Sequence, residues 1–148
     1  MKELTAGKLR FILKKLGLAD SGVFVVRGNP MKGGNQPILE LHPRFREDVQ
    51  VKMKLPDMLR QLETIGIQVS RAGEGCWLLN YNKEGRVAWN LTDAQRKAVL
   101  WWHRPTHLSQ PSIGTQTKLL HMGLLDGDTL SAMGRSVLSI LLIGFEEE

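Results

Sequence analysis

The chain has 148 residues, of which 42% are apolar and 24% charged. That balance is the one a soluble globular protein shows, and it excludes disordered and fibrous structure. The 20 Lys and Arg outnumber the 15 Asp and Glu, leaving a net charge of +5, which points to a polyanion or an acidic partner.

The length fits one ordinary domain or two very small ones. The single cysteine, Cys76, excludes an internal disulfide and paired-cysteine metal sites. It also favours a reducing, cytoplasmic setting. Met1 is followed by Lys2, Glu3 and Leu4, so no secretory core is read there. The longest apolar run, Val137 to Phe145, is broken by Ser139 and Gly144. It falls far short of the roughly 20 residues a membrane span needs.

Leu9, Ile12, Leu13 and Leu16 recur at helical spacing after Thr5, a capping residue, and before Gly17. Val23 to Val26 and Ile38 to Leu41 read as strands joined by a turn-rich loop, Gly28 to Pro37. Val49, Val51 and Met53 alternate with Gln50, Lys52 and Lys54, the pattern of a half-buried third strand. Leu55, Met58, Leu59, Leu62 and Ile65 predict a second helix, with Pro56 in its first turn and Gly66 at its end. Ile67 to Ser70 and Cys76 to Tyr81 form a hairpin pattern around Ala72 to Gly75. The expected fold class is therefore α+β: a helix, two or three strands, a helix and a hairpin over residues 1–82, with a largely antiparallel sheet.

Residues 83–90 read as a linker, and 91–148 as a second, mostly helical unit. Thr92 to Gln95 has the form of a capping box. Its helix carries Ala94, Ala98 and Trp101 on one face and ends by Pro105. Ser112 can cap a helix bearing Ile113, Thr117, Leu119 and Leu120, closed by Gly123. Asp126, Gly127 and Asp128 predict a tight turn. Leu130, Met133, Val137, Leu138 and Leu141 mark a last helix ending near Gly144, and the acidic Glu146 to Glu148 tip is expected to fray.

These last motifs resemble a minimal winged helix-turn-helix domain. Leu91-Thr92 stands before the first helix. Leu119 to Leu125 matches the leucine-rich close of a recognition helix. Leu130-Ser131 followed by Gly134-Arg135 and Leu138 matches the step from the wing into the last helix. The resemblance covers residues 91–143 and implies a small unit that reads DNA with the helix starting at Ser112. In that case Thr115, Gln116 and Lys118 would approach phosphates and base edges. The sequence departs from the family twice. The stretch from His103 to Pro111 leaves little room for a full second helix, and the wing around Leu125 to Thr129 has no basic residue.

The charge lies elsewhere. Residues 1–88 carry 15 Lys and Arg against 9 Asp and Glu, a net +6; residues 89–148 carry 5 against 6, a net −1. Phosphate binding needs several cations, and the helix from Ser112 to Met122 has only Lys118. Three basic clusters lie in the first half: Lys8, Arg10, Lys14 and Lys15; Arg27 and Lys32; and Arg44, Arg46, Lys52 and Lys54. Together they are candidates for a nucleic-acid or partner-binding surface. The competing reading is a solvated helix face and lysines that protect a strand edge.

No catalytic group and no cofactor is expected. His103 and His107 have a metal-ligand spacing, but Pro105 lies between them and no carboxylate or cysteine joins them. His42 reads as a strand-end residue. Cys76, on an apolar β-prone run, reads as a small buried hydrophobe. The adjacent Trp101 and Trp102 cannot both be buried against one element, which makes one of them a candidate interface anchor. The last helix is apolar on several sides, so Leu142 is a candidate for a homodimer contact. The sequence thus points to a non-enzymatic, regulatory binding protein whose partner is nucleic acid or a nucleic-acid-handling complex. The alternative is a protein–protein inhibitor or adaptor of mobile-element, phage-like origin.

Overall fold

The computed structural model describes residues 2–18, 22–28, 36–105 and 109–145. Among them it is mixed α+β, with six α-helices, a four-stranded antiparallel sheet and a short two-stranded ladder. The chain divides into two compact units, Lys2–Asn82 and Lys83–Glu148.

The first unit runs α1 (Ala6–Lys15), β1 (Phe24–Gly28), β2 (Pro37–Leu41), a 3-10 turn (Pro43–Phe45), α2 (Val49–Thr64), β3 (Ile67–Gly73) and β4 (Cys76–Tyr81). Thr5 caps α1 by accepting from the Lys8 N–H, and α1 buries Leu9, Ile12 and Leu13 against β1 and β2. The sheet order is β1-β2-β4-β3, antiparallel throughout. Side chains alternate across a strand, and the register sets Phe24 opposite Leu41 and Leu39 opposite Trp77. One face therefore gathers the buried Leu39, Leu41, Trp77, Leu79, Tyr81 and Ile67, with Leu62 and Ile65 from the end of α2. Each such leucine contributes roughly 2 kcal/mol of transfer free energy. The core sits here, and it leaves the ends of the sheet free to present polar groups.

Two expectations fail in this unit. Val49, Val51 and Met53 are not a strand but the opening of α2. Asp48 decides it: its carboxylate accepts from the Val51 N–H at 3.2 Å, and its carbonyl accepts from Lys52 N–H at 3.0 Å. An N-cap of this kind stabilises a helix by about 1 kcal/mol. The alternation also had no buried face to serve, since Val49 is 68% and Met53 75% exposed. Pro56 consequently lies inside α2 rather than in its first turn, where it removes the hydrogen bond to Lys52 and disturbs the helix. Gly66 closes α2 with φ 86°, a conformation that favours glycine. Of the Gly28–Pro37 loop, residues 29–35 lie outside the described residues.

The second unit runs α3 (Lys83–Asn90), α4 (Asp93–Trp101), α5 (Ile113–His121), β5 (Leu125–Asp126), β6 (Thr129–Leu130) and α6 (Ala132–Phe145). The expected linker is thus a helix. Its apolar positions Val87, Ala88 and Trp89 cluster among charged neighbours, and it buries Gly85, Ala88 and Trp89 by packing on α6. The capping box of α4 forms, with both the Thr92 and Gln95 side chains engaged. No helix is described between α4 and α5. Val137, Ile140 and Leu141 of α6 are buried, whereas Ile143 is 49% exposed and Leu142 is half-buried. Glu146–Glu148 lie outside the described residues. No helix among the described residues is long and apolar enough to cross a membrane.

Candidate polyanion-binding surface

The basic residues of the first unit fall into distinct environments. On α1, the Lys8 and Lys15 ammoniums lie 4.9 and 5.6 Å from the centre of the Phe11 ring, and Phe11 is 44% exposed. Cations over an aromatic face are held by the ring quadrupole. Arg10 turns back and donates to the Val26 carbonyl at 2.9 Å, tying α1 to the edge strand β1. Lys14 is exposed. Arg27 forms an ion pair with Glu40 across β1 and β2, so its charge is largely answered within the sheet. Lys32 lies outside the described residues.

The third cluster is the one the fold organises. His42 ends β2 and its Nδ1 accepts from the Arg44 N–H at 3.2 Å, which sets the 3-10 turn. Arg44 then lies 5.1 Å from the Phe45 ring centre. Arg46 and Lys52 instead face a cleft of about 290 Å³ at the end of the sheet. Leu41, Leu55 and Trp77 line its apolar side; Arg71 and Glu74 line it from β3 and the β3–β4 turn. The Leu41 N–H donates to the Gly75 carbonyl at 2.8 Å, which fastens that turn to the end of β2. Arg46 Nε passes 3.7 Å from where a side chain on Gly75 would begin. Lys52 pairs with Glu47 at 3.3 Å on the open surface. Lys54 is exposed on α2.

Arg71 and Trp77 escaped the reading of the sequence as site residues. A signal was present. Ile67, Val69 and Arg71 occupy alternate positions of one strand, so a strand with a buried face must carry Arg71 on that same side. The register sets Arg71 opposite Trp77, and a shift follows between Arg71 and Gly73. Such irregularities re-aim side chains at sheet ends.

The expected DNA-reading helix is differently disposed. Ser112 caps α5 by accepting from the Thr115 N–H at 3.2 Å, and the Thr115 hydroxyl is 3.1 Å from Ser112 Oγ. Gln116 donates its amide to the Pro111 carbonyl at 2.8 Å. Two of the three expected readers thus bond to their own segment, and Lys118 alone is unengaged in this way. The exposed side of α5 is mixed: Ile113 is 83% and Leu120 50% exposed, beside the exposed Thr117, Lys118 and His121. Trp101 and Trp102 are both half-buried and meet edge to face at 5.1 Å. The Trp102 indole donates to the Asp128 carbonyl at 3.0 Å, anchoring the β5–β6 turn to α4.

Among the described residues, Cys76 and Tyr81 are shifted. Burial pushes the Cys76 thiol up, aided by the Glu40 carboxylate, whose oxygen lies 3.9 Å from Sγ. Burial pushes the Tyr81 phenol up to about 12, with Glu3 adding to the effect. Both changes favour the neutral form. No three metal-ligating side chains cluster among the described residues; His103 is exposed after α4, and His107 lies outside them. No family model matches the chain, and comparison with curated proteins and with solved structures finds no similar protein.

Proposed function

We propose that this is a non-enzymatic binding protein that acts on nucleic acid through its first unit. One observation carries the reading. Lys2–Asn82 contains 13 Lys and Arg against 8 Asp and Glu, whereas Lys83–Glu148 contains 7 against 7. The whole charge surplus therefore belongs to the α+β unit, and α1, the 3-10 turn and the start of α2 carry most of it. Nucleic-acid affinity rests on phosphate neutralisation and the counterions it releases. In this reading the second unit supports or recruits rather than reads sequence.

Salt titration tests it. With a fluorescein-labelled oligonucleotide, about four phosphate contacts give a log–log slope of roughly −3 to −4. A flat dependence on salt refutes the proposal.

A second reading is favoured by a specific feature. Ile113 and Leu120 are exposed apolar side chains on α5, which suit a protein partner better than a phosphate backbone. On that reading the protein is an inhibitor or adaptor that occupies a nucleic-acid-handling complex. Capture of a stoichiometric protein that Ile113→Ser abolishes supports it; capture of nucleic acid alone counts against it.

A further inference from the structure

We infer that the cleft between α2 and the end of the sheet is a site for a single phosphate group carried on a nucleoside. The inference rests on the polyanion-binding reading above and narrows it to one pocket and one chemical unit.

Three cations reach this cleft from three separate elements: Arg46 from the 3-10 turn, Lys52 from α2 and Arg71 from β3. Chain neighbours did not put them together; the fold did. Glu74 lines the cleft with them and Glu47 pairs with Lys52 on its open side, so the three cations outnumber the nearby carboxylates by one. A carboxylate ligand needs only one guanidinium for a bidentate pair. Two guanidiniums and an ammonium around one concavity match the three outer oxygens of a phosphate instead. Concave walls also focus the field of such charges.

The three groups are free to turn to a ligand. Lys52 is engaged only by a solvent-exposed carboxylate at 3.3 Å, a kind of pair worth little. The described bond of Arg71, to the Gly73 carbonyl, is long at 3.5 Å. Arg46 extends over the glycine turn without an ion-pair partner among the described contacts.

The other wall supplies the second half of the ligand. Trp77 and Leu41 belong to the core, 8% and 4% exposed, yet their edges reach the cleft with Leu55. A planar apolar group placed there covers that residual surface and removes it from water. The volume, about 290 Å³, lies at the small end of small-molecule pockets. A cleft of this size has room for one nucleotide. The nucleotide has two sources, a free mononucleotide or a residue within a strand.

The test uses the full ¹⁵N-labelled chain. It is titrated separately with adenosine 5′-monophosphate, adenosine, inorganic phosphate and a ten-residue oligothymidylate, following the Gly75 amide and Trp77 indole resonances. The monophosphate and the oligonucleotide are expected to shift both signals, and adenosine neither. Arg46→Ala and Arg71→Ala should each weaken binding about tenfold, the effect of removing one charge-assisted hydrogen bond. Glu74→Gln should strengthen it, and Arg60→Ala should change nothing. If the oligonucleotide binds but neither it nor the monophosphate moves Gly75 or Trp77, the cleft is refuted and the broader polyanion reading stands. If the monophosphate moves them and the oligonucleotide does not bind at all, the cleft stands as a free-nucleotide site and the broader reading falls. If neither binds, both fall. Inorganic phosphate binding as tightly as the monophosphate refutes the base contact.

Discussion

Gly134 offers a sharp test of the second unit. It lies on α6 where the helix passes under the chain leaving α5. A methyl group there would overlap the Leu124 carbonyl oxygen, with the carbonyl carbon at 3.1 Å and Leu130 Cδ2 at 3.2 Å. Backbone cannot rotate away as a flexible side chain can. The Leu124 carbonyl is also held, accepting from the Ser131 N–H at 2.9 Å. Ser131 in turn caps α6, accepting from the Gly134 N–H at 3.0 Å and donating to the Gly123 carbonyl at 2.6 Å. Gly134→Ala therefore strains the core by about 1–3 kcal/mol and disrupts a hydrogen bond worth about 1–3 kcal/mol when a buried partner is orphaned. Against this, alanine gains about 1 kcal/mol in a helix. The net loss is about 1–5 kcal/mol, which lowers the midpoint of a unit this size by about 4–40 °C. Calorimetry with circular dichroism reads it directly. Gly7→Ala on α1 is the control, because a methyl there meets nothing within 4 Å. A Gly134→Ala protein as stable as the parent refutes the α6 packing described here.

Legibility from sequence followed the physics of each segment. Helices with a cap, a periodic apolar face and a glycine or proline stop were readable: α1, α4 and α5 all begin at the residue the sequence nominates, with Thr5, Thr92 and Ser112 as caps. The hairpin β3–β4 was readable because alternation and turn chemistry agree there. The start of α2 was not. Alternation over six residues coincides with a helix when nearly all the side chains are exposed, as they are here save the half-buried Val51, and the capping Asp48 is the stronger signal. The linker reading of residues 83–90 failed because a short helix shows few apolar residues; its packing partner, Gly144 of α6, is over fifty residues away and meets the Trp89 ring. The cleft was half legible. Arg46 and Lys52 stood out as charges, but Arg71 and Trp77 join them only once the strand order β1-β2-β4-β3 is known. Pairing between distant strands is tertiary information that local pattern does not hold.

Three further outcomes follow from particular contacts. Tyr81 is the only tyrosine, so absorbance at 295 nm titrates it alone. Its phenol is held up to about 12 from an ordinary 10.0, so its contribution to stability is complete below pH 10 and is lost as pH rises through about 12. A midpoint at the ordinary value in the folded protein contradicts its burial. Trp102→Phe keeps most of the ring but loses the indole bond to the Asp128 carbonyl; it should cost about 1 kcal/mol and speed amide exchange in the β5–β6 turn, and unchanged exchange there refutes the anchoring role. Lys118→Ala separates the two units as nucleic-acid contacts. Lys118 is the one cation between Ser112 and Met122 other than a histidine, and the Gln116 amide beside it is committed to Pro111. Each phosphate contact contributes roughly 0.7–0.9 to the salt slope. If the first unit holds the strand, Arg46→Ala and Lys52→Ala each flatten the slope by about that amount and Lys118→Ala leaves it unchanged. A slope that drops by about 1 in Lys118→Ala, and not in the others, puts the strand on α5 and overturns the assignment of binding to the α+β unit.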